Sequence, residues 1–230
     1  MYRYETHLHT YPVSKCAKKS VEENLLFYKS LGFEGVFITN HFLDGNLNAD
    51  KTLPYKRLLD FYVGDYEKAK ELGAQIGLSV FFGVELTHKR TDFLVYGLDP
   101  EWYAAHPEVF VMPKDELLPL LMEAGALVIH AHPFREGKGI KLLRLYPRAV
   151  HGVETYNGCR TDFENEMAAL YAKSYGLIPF AGTDNHKGAD QLTFGGMETE
   201  TPIADEADFV RRVLSGEAKP FRFTRSKAEE

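Results

Sequence analysis

The chain has 230 residues, 44% hydrophobic and 26% charged, with a formal charge of −6. That size permits one large α/β domain or two small ones, with a core that needs no disulfide staples. The acidic balance argues against general binding along a nucleic-acid backbone, and two cysteines, Cys16 and Cys159, form no disulfide framework and point to a reduced, cytoplasmic setting. The first residues lack the apolar core of a signal peptide. No apolar run approaches the ~20 residues of a membrane span.

In chain order, residues 2–9 read as a strand. Ser20-Val21-Glu22-Glu23 is a capping box opening a helix toward Ser30. A buried strand at 35–39 is followed by Asn40-His41, a polar loop at 44–54 and a helix at 58–72. Strand 78–84 is ended by Glu85, and 92–97 forms another short strand. A helix at 115–124 contains Pro119, which belongs early in it or kinks it. Residues 126–130 are strand-like and break at His132-Pro133. Strand 152–156 carries Glu154 near its end, and helix 161–175 follows. Strand 177–181 leads into Gly182-Thr183-Asp184. A helix at 205–214 and a short strand at 221–223 close the chain, leaving a loose tail at 225–230.

Alternating strands and helices with buried strands imply parallel pairing. No linker divides the chain and no repeat is evident. The expectation is one barrel-like α/β domain over 1–230, with its chemistry at the C-terminal ends of the strands. His9, His41, Glu85, His132, Glu154 and Asp184 are all placed at such ends. A strand alternates its side chains between faces, so His7 and His9 point the same way, as do His130 and His132. Paired imidazoles supplemented by carboxylates are what borderline divalent metals require.

The motifs His7-Leu8-His9-Thr10, Ile38-Thr39-Asn40-His41, Gly83-Val84-Glu85, Ala131-His132-Pro133 and Gly182-Thr183-Asp184-Asn185-His186, in this order, resemble the PHP family, the polymerase-and-histidinol-phosphatase metallohydrolases. The resemblance runs from His7 to His186. It implies a distorted (β/α)7 TIM-like barrel holding two or three divalent metals, commonly zinc, manganese or iron. It implies His7, His9, Glu85 and Asp184 around one metal, Glu85 bridging to a second that His132 joins, and His41 and His186 at a third. Two places depart from the pattern. Asp92 stands where the family often has a histidine; it suits a hard metal, with His88 as a substitute if its loop folds inward. Ser14-Lys15-Cys16 replaces an acidic or histidine ligand; Cys16 can bind zinc, although a loop cysteine is more often bland.

The chemistry this implies is hydrolysis of a phosphate monoester of a small metabolite by a metal-bound hydroxide, since divalent ions bring the pKa of bound water from about 15.7 toward 7. Asp184 or His186 would shuttle protons. Arg135 would clamp the phosphate, with Arg160, Asn157 and Glu154 as further substrate contacts. Glu154 equally suits a ligand, a partner orienting one, or a plain salt bridge. His130, two residues before His132, suits a partner orienting a ligand. The competing readings are a nuclease acting on oligonucleotide ends, which the acidic charge disfavours, a metal-binding regulatory module without catalysis, and metal-assisted amide or amine hydrolysis.

Overall fold

In the computed structural model, residues 1–42, 45–137 and 140–226 are described. Asp44, in the expected polar loop, and tail residues 227–230 lie outside them. The strands are β1 (Tyr2–Leu8), β2 (Gly35–Ile38), β3 (Ser79–His88), β4 (Thr91–Tyr96), β5 (Leu127–Ala131), β6 (Gly152–Asn157), β7 (Ile178–Gly182), β8 (Thr193–Thr199) and β9 (Lys219–Thr224). The helices are α1 (Val21–Ser30), α2 (Tyr55–Ile76), α3 (Pro100–Ala105), α4 (Lys114–Glu123), α5 (Asp162–Tyr175) and α6 (Glu206–Ser215). Two capping boxes start helices as their sequences dictate. Ser20 and Glu23 cap α1, and Thr161 and Glu164 cap α5. Asp205 caps α6 through the Asp208 N–H. None of the described helices is long and apolar enough to cross a membrane.

One sheet of order β7-β6-β5-β4-β3-β2-β1-β8-β9 curls into a nearly closed barrel. The start of β1 pairs antiparallel with β8. Its end instead meets the chain leaving β7, where the Asp184 N–H donates to the His7 carbonyl at 2.8 Å and Leu8 bridges Asn185. This seam places the histidine pair of β1 beside Asp184.

The expected parallel pairing is corrected at β4 and at the β8–β9 pair, where β8 runs antiparallel to both β1 and β9. β4 runs antiparallel to both β3 and β5. A two-residue turn, Lys89-Arg90, joins β3 to β4 with both residues at positive φ (48° and 67°), the backbone twist that tight hairpins favour. β3 also runs past Glu85 to His88. Because β4 descends, Asp92 reaches the same rim as the ends of the ascending strands.

β8 was not expected from the sequence. Its Gly195-Gly196 pair weakens a strand pattern, yet the fold needs the glycine: a Cβ on Gly196 would lie 2.2 Å from the Tyr4 carbonyl. A short helix, α3, and a single helical turn at Pro107–Phe110 flank His106. Arg225, at the start of the expected loose tail, donates its N–H to the Leu192 carbonyl at 2.7 Å.

Strand alternation divides the apolar residues into two layers. Tyr4, Phe37, Phe81, Leu94, Tyr96, Ile129 and Phe180 fill the barrel interior. Val36, Val80, Phe82, Val95 and Val128 face outward onto α1, α2 and α4 through Leu25, Leu58 and Leu121. Phe209 of α6 closes the barrel floor, its ring centroid 4.4 Å from Phe37, 5.5 Å from Tyr96 and 6.2 Å from Phe180. The polar rim lies at the opposite end.

Candidate metal centre

Among the described residues, three groups of ligand-type atoms lie within 4.8 Å of one another: His7, His9 and Asp184; His7, Glu85 and His132; and His9, Cys16, His41 and His186. The rim thus gathers every candidate ligand named from the motifs. Glu85 stands between the groups. Its Oε1 is 3.3 Å from both His7 Nε2 and His132 Nε2; its Oε2 is 2.6 Å from His41 Nδ1 and 3.4 Å from His9 Nε2. Asp184 Oδ1 is 3.3 Å from His9 Nε2 and 3.5 Å from His7 Nε2.

The support around these atoms fixes which face of each ring is bare. Glu154 Oε1 lies 2.9 Å from His7 Nδ1. A carboxylate only accepts, so Nδ1 carries a proton and Nε2 is turned into the cluster. Ser14 Oγ donates to Asn40 Oδ1 at 2.7 Å, so it accepts from His9 Nδ1 at 3.1 Å and from the His41 N–H at 3.0 Å. Burial also holds the His9 ring down to about 3, so its Nε2 is bare, 3.2 Å from His7 Nε2. That spacing asks for a positive charge between the two nitrogens: a proton on His7, which against burial Glu154 and Asp184 pull well above the usual imidazole range, or a divalent ion.

The carboxylate of Glu85 makes the same demand. Neither of its oxygens, nor His41 Nδ1, has a hydrogen-bond partner, although all are buried. A buried carboxylate faced only by imidazole rings is costly unless positive charge is shared with it; ligation of a divalent ion supplies that charge. The donor set of imidazoles and carboxylates fits zinc, manganese or iron.

The electrostatics agree. Burial would raise Glu85 and Asp184, but the rings around them, His41 for Glu85 and His7 for Asp184 above all, hold both well below the usual carboxylate range. Burial would lower His41 and His186, yet Glu85 pulls the first up to about 10 and Asp184 the second up to about 11. Burial, helped by His186 and His41, brings His9 down to about 3. The carboxylates thus draw positive charge into the cluster, which protons supply in part and a divalent cation more compactly.

Backbone conformation aims the ligands. His132 follows β5 at φ +26° and Asp184 follows β7 at φ +59°, each turning its side chain over the barrel. A Cβ on Gly182 would come within 2.5 Å of His7 Cβ and 2.7 Å of Glu154 Oε1, so only glycine fits beneath that bond.

The shared facing expected of His130 and His132 does not occur, because the break at His132 interrupts the alternation. His130 points outward and packs against Phe93 at 5.2 Å, Tyr146 and Tyr171, with neither ring nitrogen hydrogen-bonded. Asp92 faces the cluster but lies 4.0 Å from His132 Nε2, and it holds Arg135 Nη2 at 2.8 Å. Burial, with Glu85 beside it, pushes its carboxyl up. His88 pairs with Thr91 across the hairpin. Thr87 lines the cleft, so strand alternation turns His88 to the other face.

A cleft of about 460 Å3 opens over the cluster, lined by Arg90, Arg135, Arg160 and Lys187 among others. Arg135 and Arg160 were expected there; Arg90 and Lys187 were not. Glu154 and Asn157, also candidate substrate contacts, are fully buried and outside the cleft lining. Glu154 Oε2 accepts the His132 N–H at 3.0 Å and Asn157 Nδ2 at 2.9 Å, and Asn157 Nδ2 also reaches Asp184 Oδ2 at 3.3 Å. Both buttress the ligands. Ser14 was missed as a support for His9, and its one sequence signal is its closeness to the His-x-His motif.

No protein-family model and no curated protein matches the chain. Solved structures do. A two-domain protein from Bacteroides vulgatus containing a predicted PHP-like metal-dependent phosphoesterase matches with a TM-score of 0.67 at 12% identity, over 96% of this chain and 64% of that one. The chain thus spans less than two thirds of that protein's length. PsfC from Pseudomonas syringae matches with a TM-score of 0.66 at 17% identity, over 99% and 93% of the two chains. An amidohydrolase from Chromobacterium violaceum, with bound sulfate and no metal, matches at 0.57 and 16% identity over 99% of each. At these identities the likeness is one of fold, and the fold is the distorted TIM-like barrel that the motifs imply.

Proposed function

We propose that this protein is a metal-dependent hydrolase acting on a phosphate monoester of a small metabolite. The observation that carries the reading is the buried Glu85 faced by four imidazoles within 3.4 Å and by no hydrogen-bond donor of ordinary geometry, in the lining of a cleft that also carries Arg90, Arg135, Arg160 and Lys187. Two or three divalent ions of the zinc, manganese or iron type, held by His7, His9, His41, Glu85, His132, Asp184 and His186, would supply Lewis acidity toward a phosphate oxygen and a lower pKa for water.

The chain's own groups favour an anionic substrate. Arg90, Arg160 and Lys187 bring positive charge to the cleft mouth of an otherwise acidic protein. Arg135 is pinned by Asp92, which orients its guanidinium and offsets part of its charge. His186 is the candidate ligand whose side chain is most open, at 25%, and its Nδ1 lies 3.3 Å from Asp184 Oδ1. That pair suits proton exchange between the cluster and solvent. Two free thiols suit a reducing compartment such as the cytoplasm.

The test is release of phosphate from a generic aryl phosphate ester with manganese, zinc or iron(II) supplied under reducing conditions, and its loss on chelation. An aryl amide of the same alcohol-sized group is the control. Turnover of the amide alone, or metal binding without any phosphate release, overturns the reading.

A further inference from the structure

One of the three ligand groups differs in kind from the others. His7, His9 and Asp184, and His7, Glu85 and His132, offer only nitrogen and oxygen. His9, Cys16, His41 and His186 offer three imidazoles and a sulfur. We propose that Cys16 is a metal ligand, so that the rim carries one thiolate-bearing position selective for zinc-like ions beside nitrogen–oxygen positions open to manganese or iron.

The cysteine is held in place. The Lys15 N–H donates to the Asn46 carbonyl at 3.0 Å, the Ala17 N–H to the Ser14 carbonyl at 3.1 Å, and the Lys18 N–H to the His186 carbonyl at 3.1 Å. The last bond ties the Cys16 segment to the segment that bears its neighbouring imidazole. His186 Nδ1 donates to the Asp184 carbonyl at 2.7 Å, which turns Nε2 toward Cys16 Sγ, 3.1 Å away. The His9 ring stands 4.4 Å, centroid to centroid, from both His41 and His186. Ser14 fixes His9 and the His41 backbone from behind. Four donors from four separate segments thus converge, the number a tetrahedral zinc position takes, with the one free nitrogen of His9 serving either this position or the one beside His7 and Asp184. The other free thiol is differently placed: Cys159 Sγ donates to the Asp184 carbonyl at 3.2 Å and belongs to none of the groups.

Ligand softness then decides selectivity. Thiolate and imidazole favour zinc, whereas carboxylate and water suit manganese and magnesium. Cys16 thus biases its position toward zinc, while Glu85 and Asp184 keep the neighbouring positions harder. This rests on the metal-dependent reading above and adds an element that reading does not require.

The test uses the full chain, stripped with a chelator under reducing conditions and titrated with cobalt(II). The expected result is a near-ultraviolet sulfur-to-cobalt charge-transfer band that Cys159→Ser keeps and Cys16→Ser loses, with circular dichroism unchanged in both. Elemental analysis should show one fewer zinc per chain in Cys16→Ser, and Cys16→Asp should shift the preference toward manganese. Cobalt binding to the unmodified chain without the band, or a band that survives Cys16→Ser, overturns the assignment of Cys16 while leaving the metal-dependent hydrolase intact. Failure of the chain to bind any divalent ion overturns both.

Discussion

Glu154 accepts the Nδ1 proton of His7 at 2.9 Å although 147 residues separate the two in sequence, and both are fully buried. That bond keeps a proton on Nδ1 and aims His7 Nε2 into the cluster. It also raises the basicity of the ring.

Replacing Glu154 by glutamine keeps the size and removes the charge. Metal affinity should drop by about 10–100-fold, the usual loss when a buttress of a ligand histidine is altered. Titration calorimetry measures it, with circular dichroism confirming an unchanged fold. An affinity equal to that of the parent chain would remove Glu154 from the centre.

Metal binding should release protons. His41 is raised to about 10 and His186 to about 11, so both are protonated at neutral pH in the metal-free chain. A ligand imidazole must be neutral, so each gives up its proton on binding. Apparent affinity should therefore weaken as pH falls, and zinc added to a weakly buffered indicator solution should acidify it. Binding with no proton release would contradict ligation by these two rings.

At the cleft mouth, Arg160→Ala should raise KM for a phosphate ester by about 10- to 150-fold, as expected for losing a charged hydrogen bond of roughly 1.5–3 kcal/mol. Metal content should stay unchanged. A KM that does not move would place Arg160 outside the substrate path.

Far from the rim, Phe209→Ala should destabilise the fold by about 3–5 kcal/mol, because the ring plugs the barrel floor against Phe37, Tyr96 and Phe180. Denaturant melts read the loss. Metal stoichiometry below the melting range should match the parent, and a melt indistinguishable from the parent would show the floor to be held elsewhere.

Much of this centre was readable in one dimension. His7, His9, His41, Glu85, His132, Asp184 and His186 lie at or near strand ends, and strand periodicity predicts where strands end. The capping box at Ser20 was readable because its bonds span only three residues; the matching box at Thr161 has the same span but was not named from the sequence. Cys16 was harder to weigh, since it comes from a turn with no periodicity and its partner His186 is 170 residues away. His130 was misplaced because alternation was carried through a residue at positive φ. The descent of β4 was hidden because its buried residues read alike in either direction.

The ring of Phe209 leaves the barrel sealed at its lower end. Among the described residues, the histidines are reached through the cleft at the other end. On the proposed phosphate-ester reaction, the cleaved alcohol and inorganic phosphate would leave by the doorway that admits fresh substrate. Free phosphate, itself an anion suited to Arg90, Arg160 and Lys187, would then compete for that passage and slow turnover as the reaction filled its own exit.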